Sequence, residues 1–117
     1  MARVVAYVPD LLFGSNVIGM LRAAGHVGLL VPDVERLERE GPGSAAVIVD
    51  LTADAAERIE AVRTIDLAGA RTLAFYSHVD ADTRRLALDA GFDEVVPRSR
   101  VAREGPDLIA RLVGSAA

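Results

Sequence analysis

Short apolar runs alternate along this chain with stretches that are apolar on one helical face and polar on the other. The runs are Arg3–Val8, Val27–Val31, Ala45–Asp50, Thr72–Tyr76 and Glu94–Val96. They are rich in Val, Leu and Ile, and apolar residues follow one another rather than falling at every second position. A strand wetted on one face would alternate. Continuous apolar runs therefore predict strands covered on both faces, as in a parallel sheet.

The segments between the runs read as helices. Phe13, Val17, Leu21 and Ala24 recur at spacings of four, four and three, which places them on one face, and Gly25 ends the helix. Val34–Glu40 predicts a short charged helix entered through Pro32-Asp33 and stopped by Gly41-Pro42-Gly43. Asp54 reads as the N-cap of a third helix, with Glu57 three residues on as a weak capping box. Asp80 or Asp82 caps a fourth helix that runs to Ala90 and stops at Gly91. Gly105-Pro106-Asp107 opens the last helix, with proline at its first position and Leu108, Ile109, Leu112 and Val113 as its buried stripe.

Strand then helix, five times over, predicts an α/β fold: a five-stranded parallel sheet with helices on both faces. The expected strand order is 2-1-3-4-5, the flavodoxin-like arrangement. The 117 residues suit a single domain over 1–117, with no repeat and no linker.

Composition narrows the chemistry. There is no cysteine, which excludes disulfides, thiolate metal sites and thiol nucleophiles. The net charge of −4 argues against direct nucleic-acid binding, which needs an excess of positive surface. No apolar stretch reaches the length of a membrane span, and the N-terminus lacks a signal-peptide pattern, so the expectation is a soluble, cytoplasmic protein. Every basic side chain is arginine. No acid–base pair, nucleophile triad or metal-ligand cluster of a free-standing enzyme stands out.

In a sheet of this order, chemistry sits beyond the carboxyl ends of the strands. The first run ends in Pro9-Asp10, the third in Asp50, the fourth in Ser77-His78 and the fifth in Pro97-Arg98-Ser99. Asp10 and Asp50 would repel each other there, and a hard divalent cation such as Mg²⁺ relieves such a pair. Asp50 could act as a nucleophile toward a phosphoryl group, with the Ser77 hydroxyl and the Arg98 guanidinium on its oxygens. Each residue has a plainer reading. Asp10 suits a local turn, and Ser77 a bond to nearby backbone. Arg98 either contacts phosphate or holds Asp50 in a permanent ion pair. The Arg98-Ser99-Arg100 and Arg103 cluster binds an anion or forms a solvated edge. His78 is a loop residue or a cover over the site, and His26 lies at the far end of the first helix. Gly14-Ser15-Asn16, read as the loop entering that helix, keeps a flavin or nucleotide site in view, without any glycine-rich phosphate fingerprint.

The stretch Ala90-Gly91-Phe92-Asp93-Glu94-Val95-Val96-Pro97-Arg98-Ser99 resembles the segment of response-regulator receiver domains in which Ala-Gly-Ala-Asp-Asp leads to Lys-Pro. Ala46-Val47-Ile48-Val49-Asp50 is similar to the strand that carries their phosphoacceptor, and the likeness runs over nearly the whole chain. The resemblance implies a phosphoacceptor at Asp50, a phosphoryl contact at Ser77, and a conserved cation at Arg98. It also implies Mg²⁺ held by Asp10, Asp50 and the backbone carbonyl of Thr52. The departures imply an atypical or pseudo-receiver. Pro9 stands where the first acid belongs, and Arg98 where the lysine does. The Met-Pro after the acceptor is absent, and Val95 replaces the aromatic switch. The implied function is a stand-alone signalling module, not an enzyme, in which phosphorylation is altered or lost and Mg²⁺ binding is weak or absent. Its alternative is a working phosphoacceptor in a two-component system. The implied partner is a histidine kinase or output protein, or a second copy of the chain. The implied face is the fourth helix, fifth strand and fifth helix, around Leu86, Val95 and Leu108.

Overall fold

The computed structural model describes residues 2–77 and 79–114. Five parallel strands, β1 (Arg3–Tyr7), β2 (Val27–Val31), β3 (Ala46–Asp50), β4 (Arg71–Tyr76) and β5 (Glu94–Pro97), lie in the order β2-β1-β3-β4-β5. The helices between and after them are α1 (Leu11–Ala23), α2 (Val34–Glu40), α3 (Ala55–Arg63), α4 (Ala81–Asp89) and α5 (Arg98–Gly114).

The unbroken apolar runs are explained by the two cores. Successive strand residues point to opposite faces. Val4, Ala6, Ile48, Leu73 and Phe75 pack with Val17, Leu21, Leu108 and Leu112 of α1 and α5. Val5, Tyr7, Val47, Val49 and Ala74 pack on the other face with Leu37, Ile59, Val62 and Ala87 of α2, α3 and α4. The β3 strand is buried at all of its positions, so its carboxyl end delivers Asp50 from a rigid platform. At the opposite end of the sheet, Asp93 accepts hydrogen bonds from the Thr72 N–H (2.8 Å) and hydroxyl (3.2 Å). That acidic residue fixes the β4–β5 register and takes no part in the site.

Several local expectations need correction. Helix α1 starts at Leu11 because the Asp10 side chain caps it, so Gly14-Ser15-Asn16 is helix and not an entry loop. A side chain at Gly14 would meet Leu30 Cδ1 at 2.8 Å, so glycine there serves close packing of α1 on β2. The support for a flavin or nucleotide loop goes with it. Helix α5 starts at Arg98, seven residues before Gly105, and breaks at Glu104 (φ −128°, ψ 17°). Pro106 opens the second of its two segments, where a missing N–H costs nothing. Leu108, Ile109 and Leu112 are buried as expected, while Ala24 is exposed. Asp54 does precede α3, but in a left-handed conformation (φ 48°, ψ 40°) and without a side-chain cap bond.

Candidate functional site

The strand register brings the carboxyl ends of β1, β3, β4 and β5 to one edge, with Asp50 level with Phe75 and Tyr76 level with Pro97. Pro9-Asp10, Asp50, Ser77 and Arg98 all lie just beyond that edge, as the strand order implies. His78, read as a loop residue or a cover, lies outside the described residues.

Asp50 is held from two sides. Its Oδ1 accepts from the Thr52 N–H at 2.8 Å and the Thr52 hydroxyl at 2.6 Å. A charged acceptor makes such bonds short and strong. From the first turn of α3, Arg58 donates through one guanidinium nitrogen to the Asp50 carbonyl oxygen at 2.9 Å. The same nitrogen lies 3.6 Å from Asp50 Oδ2, and the other terminal nitrogen lies 3.9 Å from Asp54 Oδ2. The Asp50 side chain is 4% exposed and that of Arg58 13%. Two opposite charges are thus held together with little water between them.

Arg58 is the residue that the sequence did not single out. Its one local signal is the spacing of four from Asp54, an ordinary helical ion pair. The contact with Asp50 depends on how α3 returns over the end of β3. The left-handed turn at Asp54 starts that return, a conformation that Asp tolerates better than most residues.

The expected ion pair between Arg98 and Asp50 is not formed among the described residues. The Arg98 guanidinium carbon instead sits 5.4 Å from the centroid of the Phe13 ring, which in turn meets Phe75 in a tilted pair at 5.1 Å and 53°. A planar guanidinium suits an aromatic face as a lysine ammonium would not. The cation on Asp50 is Arg58.

Asp10 caps α1 through Oδ1, which accepts from Leu12 N–H at 3.0 Å and Phe13 N–H at 3.2 Å. The turn reading of Asp10 matches this geometry. Ser77 is half-buried, and its carbonyl accepts from Asp80 N–H at 2.8 Å in the turn that leads into α4. Asp80 then caps α4 through Thr83, and the Thr83 hydroxyl and N–H bonds hold its carboxyl below the usual range. Leu11, Leu12 and Val79 stand exposed on the same end of the molecule.

Asp10, Asp50 and the Thr52 carbonyl make a poor donor set for Mg²⁺. A hard cation wants several free oxygens. One oxygen of each carboxylate is already engaged by N–H donors, Pro9 beside Asp10 brings no carboxylate, and a guanidinium faces the other Asp50 oxygen.

Tyr7, Pro9, Val34, Asp54, Glu57 and Arg58 line a shallow cleft of about 360 Å³ at the switch point between β1 and β3. Burial pushes the Tyr7 phenol above its ordinary value; Arg58 opposes the shift, and Asp33, Asp54 and Asp50 add to it. A phenol whose folded pKa is raised contributes its full stability below the unfolded value of about 10 and loses it as pH rises through the folded one. Above pH ~10 the wild type is therefore expected to lose stability faster than Tyr7→Phe. Urea denaturation of both across that range checks this, and parallel pH profiles would count against it.

No protein-family model and no curated protein sequence matches this chain. Solved structures do. A response-regulator receiver domain protein from Clostridium thermocellum superposes with a TM-score of 0.82 at 16% identity, covering 98% of this chain and 96% of that one. The fold is the receiver fold. A Francisella response-regulator receiver domain matches over 100% of both chains with a TM-score of 0.84 and 9% identity. The receiver domain of a sensor histidine kinase from Pseudomonas aeruginosa PAO1 has a TM-score of 0.79 at 17% identity, covering 97% of this chain and 98% of that one. It is described with a magnesium ion coordinated in its active-site cleft. The receiver fold places Asp50, at the end of the central strand, at the cleft end of the sheet.

Proposed function

We propose that this chain is an atypical receiver-type signalling module that acts through protein contacts, and that phosphoryl transfer to Asp50 has been lost. The observation that carries this is the state of Asp50. Its carboxylate is buried and bound by Thr52 and Arg58, while the cation expected over it, Arg98, is stacked on Phe13. A carboxylate with hydrogen bonds on one oxygen and a cation 3.6 Å from the other is a weaker nucleophile than a free one. The reading is of a binding domain in the cytoplasm, not of an enzyme. Among the described residues, no helix is long and apolar enough to cross a membrane.

A histidine kinase or an output protein is the proposed partner, at the face of α4, β5 and α5. The side chains differ from those expected from sequence. Leu108 is in the core, and Leu86 lines a cleft against α3 with Ile59 and Arg63. Leu88 follows the buried Ala87 as Leu86 precedes it, so it lies on the other flank of α4. It is 45% exposed. Half-buried Val95 and the Glu94–Arg111 ion pair at 2.6 Å are the apolar and charged groups that β5 and α5 add to this side of the molecule. A second copy of the chain is the other proposed occupant.

Intact-mass spectrometry after incubation with Mg²⁺ and a small acyl-phosphate donor tests the loss of chemistry. No phosphoryl adduct is expected under conditions that modify a conventional receiver. One adduct in the parent that disappears in Asp50→Asn would overturn the reading.

A further inference from the structure

We propose that Arg58 is a resident cation that takes the place of a divalent metal at Asp50. The inference deepens the reading of an atypical receiver and rests on it.

Two independent features meet in one cleft. The first is a lost negative charge: Pro9 stands where the resemblance expects an acid, and its ring lines the cleft at the end of β1. The second is a gained positive charge: Arg58 lines the same cleft and reaches both the carbonyl and the carboxylate of Asp50. A buried carboxylate needs a partner charge or it loses its proton-free form. A metal-binding cleft obtains that charge from solution, whereas this one obtains it from its own chain. Asp54 holds the other side of the guanidinium, and the Asp50 carbonyl fixes its position. A divalent ion entering beside Asp50 would meet a fixed positive charge at close range. Thr52 fits the same account, because its N–H and hydroxyl occupy Asp50 Oδ1 and leave fewer free lone pairs for a metal.

Asp50 therefore has its counter-charge from its own chain and does not need Mg²⁺ to supply one. The test is metal affinity, read without phosphorylation. Mn²⁺, a paramagnetic stand-in for Mg²⁺, is titrated into the whole chain while electron paramagnetic resonance reports the free ion. The wild type is expected to leave millimolar Mn²⁺ free. Arg58→Met is expected to gain affinity at least about tenfold, since removing one unit charge at this range is worth that much even in a wet site. Arg58→Met combined with Asp50→Asn is expected to lose the gain. Circular dichroism confirms that the variants are folded. If Arg58→Met does not fold, the wild type decides alone: millimolar Mg²⁺ should leave its Tm unchanged, because an ion that does not bind the native state cannot stabilise it.

Wild-type binding as tight as that of the variant overturns the proposal, and so does a folded Arg58→Met with no gain, or a Tm raised by Mg²⁺. Such a result leaves the loss of phosphoryl transfer standing if no adduct forms. An adduct on Asp50 removes that broader reading whatever Mn²⁺ does.

Discussion

Replacing Phe75 by alanine is expected to cost about 3–5 kcal/mol, a large share of the roughly 5–15 kcal/mol that holds a domain of this size folded. Phe75 is fully buried on β4, an interior strand of the sheet, and its ring meets Phe13 at 5.1 Å. Truncation removes the ring from the α1/α5 core and leaves a cavity bounded by strand backbone that cannot close over it. The ring also supports Phe13, over which Arg98 lies. Urea denaturation should show a midpoint far below the parent's with an unchanged slope. Phe75→Leu keeps most of the volume and is expected to cost less than about 1.5 kcal/mol. Equal losses for the two variants would show that the ring stack, and not the filled volume, is the larger contribution.

The second expected effect differs in sign from ordinary intuition about an acidic cleft. Where carboxylates crowd together, neutralising one relieves repulsion and stabilises the fold. Here Asp50→Asn is expected to destabilise, by about 1–2 kcal/mol. Asparagine keeps an oxygen for the Thr52 donors, so the local turn survives. What is lost is the negative charge 3.6 Å from the guanidinium of Arg58. Breaking a fully buried pair costs about 3–5 kcal/mol. The lower figure follows because Arg58 keeps the Asp50 carbonyl and the distant Asp54 carboxylate, and is 13% exposed. The Tm should fall by roughly 5–10 °C. A Tm that rises in Asp50→Asn would mean that the carboxylate is uncompensated and that Arg58 does not neutralise it.

The fold was readable from the chain because both faces of the sheet are covered. That burial makes every strand a continuous apolar run, and the runs of the sequence agree with the strands to within a residue or two. Pro32-Asp33 is legible as a helix entry and Asp80 as one of two candidate caps beside Asp82, because these residues sit just ahead of a helical period; Asp33 and Asp80 are the caps. The first turns of α1 and α5 were harder. Gly14-Ser15-Asn16 has weak helix propensity, but packing on β2 overrides it. Gly105-Pro106 looks like a beginning because it is one, of the second segment after the break at Glu104. The site residues at the strand ends could be placed by topology, since the strand order alone decides which edge they share. Their partners could not. Arg98 and Arg58 carry the same charge, and only the path of α3 over β3 shows which of the two meets Asp50. Asp54 read as a cap because its position before a helix is right, while its left-handed backbone turns the carboxylate toward Arg58 instead.

The sharing of one cleft by Pro9 and Arg58 makes the two positions epistatic. A carboxylate placed at position 9 would offer Arg58 another partner. Loss of the arginine alone would leave Asp50 buried without its counter-charge. What a change at one position does to the cleft therefore depends on the residue at the other, and the effects of the two will not add.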